Sequence, residues 1–152
     1  DGMPKDYQEA VSLYRLAAEH GYAKAQFNLG WMYKFGQGVL QNYKQTIKWW
    51  GLAAEQGYAD AQFTLGQIYA NERGILQDFE LAYMWFSLAS SQGVKIATYG
   101  VDAMEKKMSP QQIEKVQEMA RNRKHADALR GQKVGTSHLY ELQISSRCFR
   151  FF

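Results

Sequence analysis

The sequence predicts an all-α fold, a right-handed α-α superhelix in which helix pairs stack into a solenoid closed by one C-terminal capping helix. Three observations carry that expectation. Gly21, Gly57 and Gly93 are spaced 36 residues apart, and so are Ala25, Ala61 and Ala97. Residues 18–53 and 54–89 are identical at close to half of their positions. Within each unit the apolar residues recur at helical rather than alternating spacing. A fixed period of this length marks a repeat array, whose bricks bury their apolar faces only against one another.

The first element is a helix entered from Asp6, which is placed to act as its N-cap. Tyr7, Leu16 and Ala17 share a register with Tyr43, Leu52 and Ala53, and again with Phe79, Leu88 and Ala89. Residues 1–20 therefore read as a partial repeat lacking its first helix, and the chain as an excerpt of a longer array. Two full repeats follow, at about 21–56 and 57–92. In the first, Ala25, Leu29, Met32 and Tyr33 predict a helix over about 22–34. A second helix starts at Asn42, or at Asp78 one unit later, each placed as an N-cap. It carries Ile47, Trp50 and Ala54, or Ala82, Phe86 and Ala89. Gly21, Gly57 and Gly93 fall just past helix ends, and Gly38 and Gly74 in the connectors, where a left-handed backbone is expected. Gly30 and Gly66 are mid-helix, which costs roughly 1 kcal/mol against alanine and predicts close approach of a neighbouring helix.

A degenerate final helix occupies 93–107, with Asp102 and Glu105 where the earlier units have glycine and tyrosine. The capping helix is expected over 109–130. Ser109 is suited to the N-cap, Pro110 to the first helical position and Gln112 to the third position of a capping box. Ile113, Val116, Met119 and Ala120 give it one apolar face, while Glu114, Lys115, Arg121 and Lys124 keep the rest wet. The tail from 131 to 152 leaves the register. Its apolar residues, Phe149, Phe151 and Phe152 among them, could pack on the array, pair between chains or stay disordered.

The pattern A-x-x-G-x-x-x-A-x-x-x-L-G-x-x-Y, then G-x-G, a capping residue with an aromatic, and an aromatic pair before L-A-A, resembles the Sel-1-like repeat. That family is a relative of the tetratricopeptide repeat. The matching residues are Ala25, Leu29, Gly30, Tyr33, Gly36, Gly38, Tyr43, Trp49, Ala53 and Ala54 with their partners one repeat on, and the resemblance spans about 1–107. Glu72 departs from it in place of the first glycine of G-x-G. The resemblance implies a bacterial source and an adaptor that brings proteins into complexes.

Composition sets further bounds. The 152 residues carry a net charge of +3, divided unevenly. Residues 1–105 hold 8 Lys/Arg against 11 Asp/Glu, and residues 106–152 hold 10 against 4. No apolar run reaches the ~18 residues of a membrane span. The expected protein is soluble, in cytoplasm or periplasm, a choice left open because a chain that begins mid-repeat would have lost any signal peptide. Cys148 is the single cysteine, so the fold rests on no intramolecular disulfide.

Catalytic chemistry is not expected. His20, His125 and His138 are far apart and lack ligands at metal-binding spacing, so no metal is expected. Glu19 and Glu55 recur at helix ends, as surface residues do, rather than forming a catalytic pair. "FGQGVL" is a repeat connector, not a phosphate loop, and the serines fall in no nucleophile motif. No cofactor is called for. Nucleic acid is not the expected partner either: Lys106, Lys107, Arg121, Arg123, Lys124, Arg130 and Lys133 are basic but not interleaved with aromatic platforms.

What remains is a protein or peptide partner. On the first helix of each unit, the residues between fixed core positions are Lys24, Asn28, Trp31 and Phe35, then Asp60, Thr64, Gln67 and Asn71. Their spacings of 4, 3 and 4 place each set on one helical stripe, expected to line the concave side. Asn28, Thr64 and Gln67 could hydrogen-bond a peptide backbone. Trp31 has no aromatic twin, since Gln67 and Ala103 hold its register, and reads either as a binding anchor or as packing on its neighbours. Trp49, Trp50, Trp85 and Phe86 are expected in the core. The alternative to an adaptor is a structural array that positions another domain of a longer parent protein. The tail could also mediate self-association.

Overall fold

A computed structural model describes residues 5–71 and 77–132, with side chains over 6–71 and 77–123. Seven helices occupy them: α1 (Lys5–Glu19), α2 (Ala23–Phe35), α3 (Tyr43–Glu55), α4 (Ala59–Ala70), α5 (Phe79–Ser91), α6 (Lys95–Glu105) and α7 (Pro110–Gln132). No strand occurs among the described residues. Helices α2 and α3 form one pair and α4 and α5 the next, while α1 packs on α2, α3 on α4, and α6 and α7 both on α5. The result is an all-α solenoid of stacked helix pairs. Gly74, Glu72 and the tail beyond Gln132 lie outside the described residues, as do His138 and Cys148.

Local chemistry sets the helix ends. The Asn42 carboxamide accepts from Gln45 N at 3.1 Å, and the Asp78 carboxylate accepts from Leu81 N at 2.9 Å. Each satisfies one of the backbone donors that a helix start leaves without a partner. Asp6 does not repeat this: it lies inside the first turn of α1, one residue past the helix start. There it still complements the positive end of the helix dipole. At α7 the capping box is reciprocal. Ser109 N donates to Gln112 Oε1 at 2.9 Å, and Gln112 N donates to Ser109 Oγ at 3.3 Å. Gly21, Gly57 and Gly93 turn the chain between helices with φ of 87°, 87° and 92°, a region costly for any side chain.

The core follows the aromatic register. Trp49, Trp50, Trp85 and Phe86 are all buried. Trp50 also donates its indole N–H to Phe27 O at 2.9 Å, a bond from α3 into α2. The mid-helix glycines make room for these rings. A Cβ on Gly30 would collide with Cδ1 and Nε1 of Trp50, and one on Gly66 would lie 2.6 Å from Phe86 Cδ1. The final unit keeps this device at a different position. Asp102 holds the glycine register, yet Gly100, two residues earlier, is the one against Phe86, where a Cβ would lie 2.7 Å from Cδ2. Phe86 is thus clasped between Gly66 on α4 and Gly100 on α6.

A second repeated device is polar. Buried Gln26 donates to Ala18 O at 3.1 Å and accepts from Gln56 Nε2 at 2.7 Å. One unit later, Gln62 donates to Ala54 O at 3.1 Å and accepts from Gln92 Nε2 at 2.7 Å. Each rung satisfies a buried amide and ties the end of one second helix to the start of the next first helix. In the following unit the same registers hold Ser90 and Thr98, whose hydroxyls meet at 3.1 Å. His20 occupies the register of Gln56 and Gln92 and closes on its own helix, Nδ1 to Leu16 O at 2.7 Å.

Helix α7 packs on α5, the last of the second helices. Val116 and Ala120 are buried, and Lys115 Nζ meets Glu80 Oε2 at 3.0 Å. Gln117 Nε2 donates to Tyr83 Oη at 3.1 Å, and the Tyr83 hydroxyl donates to Glu105 Oε1 at 3.2 Å, linking α7, α5 and α6. The Arg123 guanidinium lies over the Trp85 ring with Cζ 4.8 Å from its centroid. Arg123 is therefore part of the seam, not of an open basic surface.

Candidate functional site

The stripe on the first helices is uneven. On α2, Lys24 is exposed, Asn28 half-buried, Trp31 half-buried and Phe35 57 % exposed. On α4, Asp60, Gln67 and Asn71 are exposed, whereas Thr64 is only 6 % exposed and its hydroxyl donates to Asp60 O at 2.7 Å. Thr64 thus stands apart from its neighbours, with its one donor already used. Thr64 shares its register with Gly100, which abuts Phe86 on α5, and with Asn28, which is only half-buried, so the position faces inward to a degree that differs from unit to unit.

Trp31 belongs to an aromatic cluster. Its ring stacks on Phe35 with centroids 5.2 Å apart and an interplanar angle of 7°. It meets Trp50 edge-on at 5.1 Å and Phe27 edge-on at 5.9 Å. Phe27 in turn contacts Tyr58, at the start of α4, at 5.2 Å. Packing therefore holds one side of Trp31, and the Phe35 end of the stack faces outward. The i, i+4 spacing of Trp31 and Phe35 produces the stack on an ordinary helix.

Lys34 completes the cluster. Its ammonium lies 4.8 Å from the Trp31 centroid and 5.4 Å from those of Phe35 and Trp50, all within cation–π range. Sequence spacing passes over Lys34 because it falls outside the 4, 3, 4 stripe. The signal was nonetheless present, as a lysine three residues after Trp31 shares its helical face. Among the described residues beyond α4, the exposed large apolar side chains are Ile96 and Tyr99 of α6, at 59 % and 76 %.

Among the described residues there is no group of three or more His, Cys, Asp or Glu placed to hold a metal. No described helix is long and apolar enough to cross a membrane. His125 lies within α7, outside the described side chains.

A sequence model of the Sel1 repeat matches residues 1–22, 23–58 and 59–94. The chain belongs to the Sel1 repeat family. Among solved structures it is similar to a protective antigen present in uropathogenic Escherichia coli strains, which displays an SLR fold. The identity is 31 % with a TM-score of 0.75, over 90 % of this chain and 30 % of that one. A Sel1 repeat protein from Oxalobacter formigenes is 35 % identical with a TM-score of 0.60, over 62 % of this chain and 39 % of that one. An uncharacterized protein of Neisseria meningitidis serogroup B is 59 % identical over 34 residues, which is 22 % of this chain and 7 % of that relative. The chain thus spans well under half the length of these relatives, and their sources are bacterial, as the sequence resemblance implied. Sel1 repeat proteins are generally protein-interaction scaffolds, and the fold is typically non-catalytic.

Proposed function

We propose that this Sel1 array is a non-catalytic adaptor that holds a peptide or protein segment against the stripe on its first helices, taken as the concave side. The observation that carries this reading is the stack of Trp31 on Phe35, which presents an aromatic ring 57 % exposed at the end of α2, with exposed Gln67 and Asn71 at the following registers of the next unit. A few large side chains, aromatic ones prominent among them, carry most of the binding energy in protein interfaces. Lys24 and Asp60 close the stripe at the other end, with Thr64 contributing to its support rather than to its open surface.

Panning a random peptide library on the immobilised chain tests this. Peptides enriched on the wild type should lose most of their binding to a Phe35→Ser, Gln67→Ala double variant that retains its far-UV circular dichroism. Undiminished binding to that variant would remove the stripe as the site, and failure to enrich any peptide would favour the alternative, an array that spaces other domains.

A further inference from the structure

At the C-terminal edge of the first helices, one period apart, stand Lys34 and Phe35, then Ala70 and Asn71, then Lys106 and Lys107. Phe35, Asn71, Lys106 and Lys107 are exposed, and none of the six positions is acidic. Both ends of this edge hold the same device, an ammonium set on an aromatic ring. Lys34 lies 4.8 Å from the Trp31 centroid, and Lys107 lies 4.8 Å from that of Phe79. An ammonium held against a ring loses part of its water yet keeps its charge. A carboxylate arriving there therefore gains a charge-assisted hydrogen bond beside an apolar surface.

We propose that the occupant of this face is an acidic peptide segment carrying one large apolar side chain. The apolar side chain seats on the exposed ring of the Trp31–Phe35 stack. A neighbouring carboxylate accepts from Lys34, the backbone crosses at Asn71, and a second carboxylate accepts from Lys106 or Lys107. This rests on the reading that the stripe binds a peptide at all. A phosphate polymer would find the same rings and ammoniums, but the wider field opposes it. Residues 1–105, which hold Lys34 and Phe35, carry 8 Lys/Arg against 11 Asp/Glu, with Asp60 and Asp102 exposed on α4 and α6, and the basic excess, 10 against 4, begins only at Lys106. Local cations within an acidic array suit a short acidic stretch better than a continuous polyanion.

The test uses the full chain and fluorescein-labelled peptides of one length. A central Phe is flanked by Asp, by Ser or by Lys, a further acidic peptide has Gly in place of Phe, and an oligothymidylate stands for nucleic acid. Fluorescence anisotropy gives each affinity at low and at moderate salt. The acidic Phe peptide should bind tightest and weaken with salt. Lys34→Gln and Lys107→Gln should each weaken it about twofold to fivefold while leaving the Ser-flanked peptide unchanged. Phe35→Ser, at an exposed position, should weaken every Phe peptide about tenfold.

If all three Phe peptides bind alike but Phe35→Ser weakens them, the acidic preference is wrong and the peptide-binding face stands. If no peptide binds, or none responds to Phe35→Ser or Lys34→Gln, both readings fall. If the oligothymidylate binds more tightly than the acidic peptide, the face is a nucleic-acid surface and the proposal is overturned.

Discussion

Replacing Gly66 by alanine sets two known effects against each other. In an open helix the change stabilises, because glycine costs about 0.8–1.0 kcal/mol against alanine. At Gly66 the added Cβ would lie 2.6, 2.7 and 2.9 Å from Cδ1, Cε1 and Cγ of Phe86, nearer than any real carbon contact. The ring has little room to retreat, because Gly100 on α6 also abuts it, with a Cβ position 2.7 Å from Cδ2. Overpacking of this kind costs about 1–3 kcal/mol, and a ring abutted by two helices belongs near the upper end. The expected net effect is a loss of about 1–2 kcal/mol. Gly51 supplies the control. It is also helical, on α3, but a Cβ there meets nothing within 4 Å. Gly51→Ala should therefore stabilise by up to about 1 kcal/mol. Urea denaturation followed by far-UV circular dichroism reads both. Equal stabilisation by the two substitutions would refute the argument that Gly66 is kept for Phe86, and Phe86→Leu should restore part of the loss in the Gly66→Ala background.

Other expectations follow from single contacts. Asn42→Ala and Asp78→Ala should each cost about 1 kcal/mol in the same denaturation assay, whereas Asp6→Ala, at a non-capping position, should cost only a few tenths. Gln62→Ala leaves Ala54 O and Gln92 Nε2 without their partner; a loss of about 1–3 kcal/mol is expected. Hydrogen exchange should then quicken at the α3–α4 and α5–α6 junctions, and unchanged exchange there would count against the rung. Lys115→Ala, which removes an exposed ion pair with Glu80, should cost less than about 1 kcal/mol, and added salt should shrink the difference further.

Much of the fold was legible because it is local chemistry repeated. Asn42, Asp78 and the Ser109–Gln112 box announce helix starts by residue type and spacing alone. Gly30 and Gly66 signal a close approach because glycine in a helix needs a reason, although the ring that approaches cannot be named without the structure. The glutamine rungs were visible only as unchanged letters. Gln26 and Gln56 are 30 positions apart, and nothing local shows that the two amides meet. The site was less legible, because stripe reasoning treats every residue at a given register as equivalent. Thr64 is buried where Asn28, at the same register, is half-buried, and Gly100 takes the role that the period assigns to position 102. Lys34 escaped because its importance lies in the three rings it touches, one of them on another helix.

The amide rungs change what counts as one piece of this array under load. Gln26 on α2 reaches back to the end of α1 and forward to Gln56 at the end of α3; Gln62 on α4 does the same between α3 and α5. The pieces that yield together are therefore overlapping triplets sharing α3, not the helix pairs that the sequence period suggests. Pulled from its ends, such a chain would not shed one pair at a time with the rest undisturbed. Release of one triplet loosens the helix it shares with the next, so tension is handed along the array. At Ser90 and Thr98 the amides give way to a pair of hydroxyls. Past that point α6 is held to α5 without an amide rung, by those hydroxyls, the Tyr83–Glu105 bond and the Phe86–Gly100 contact, so the handing-on of tension ends at α5.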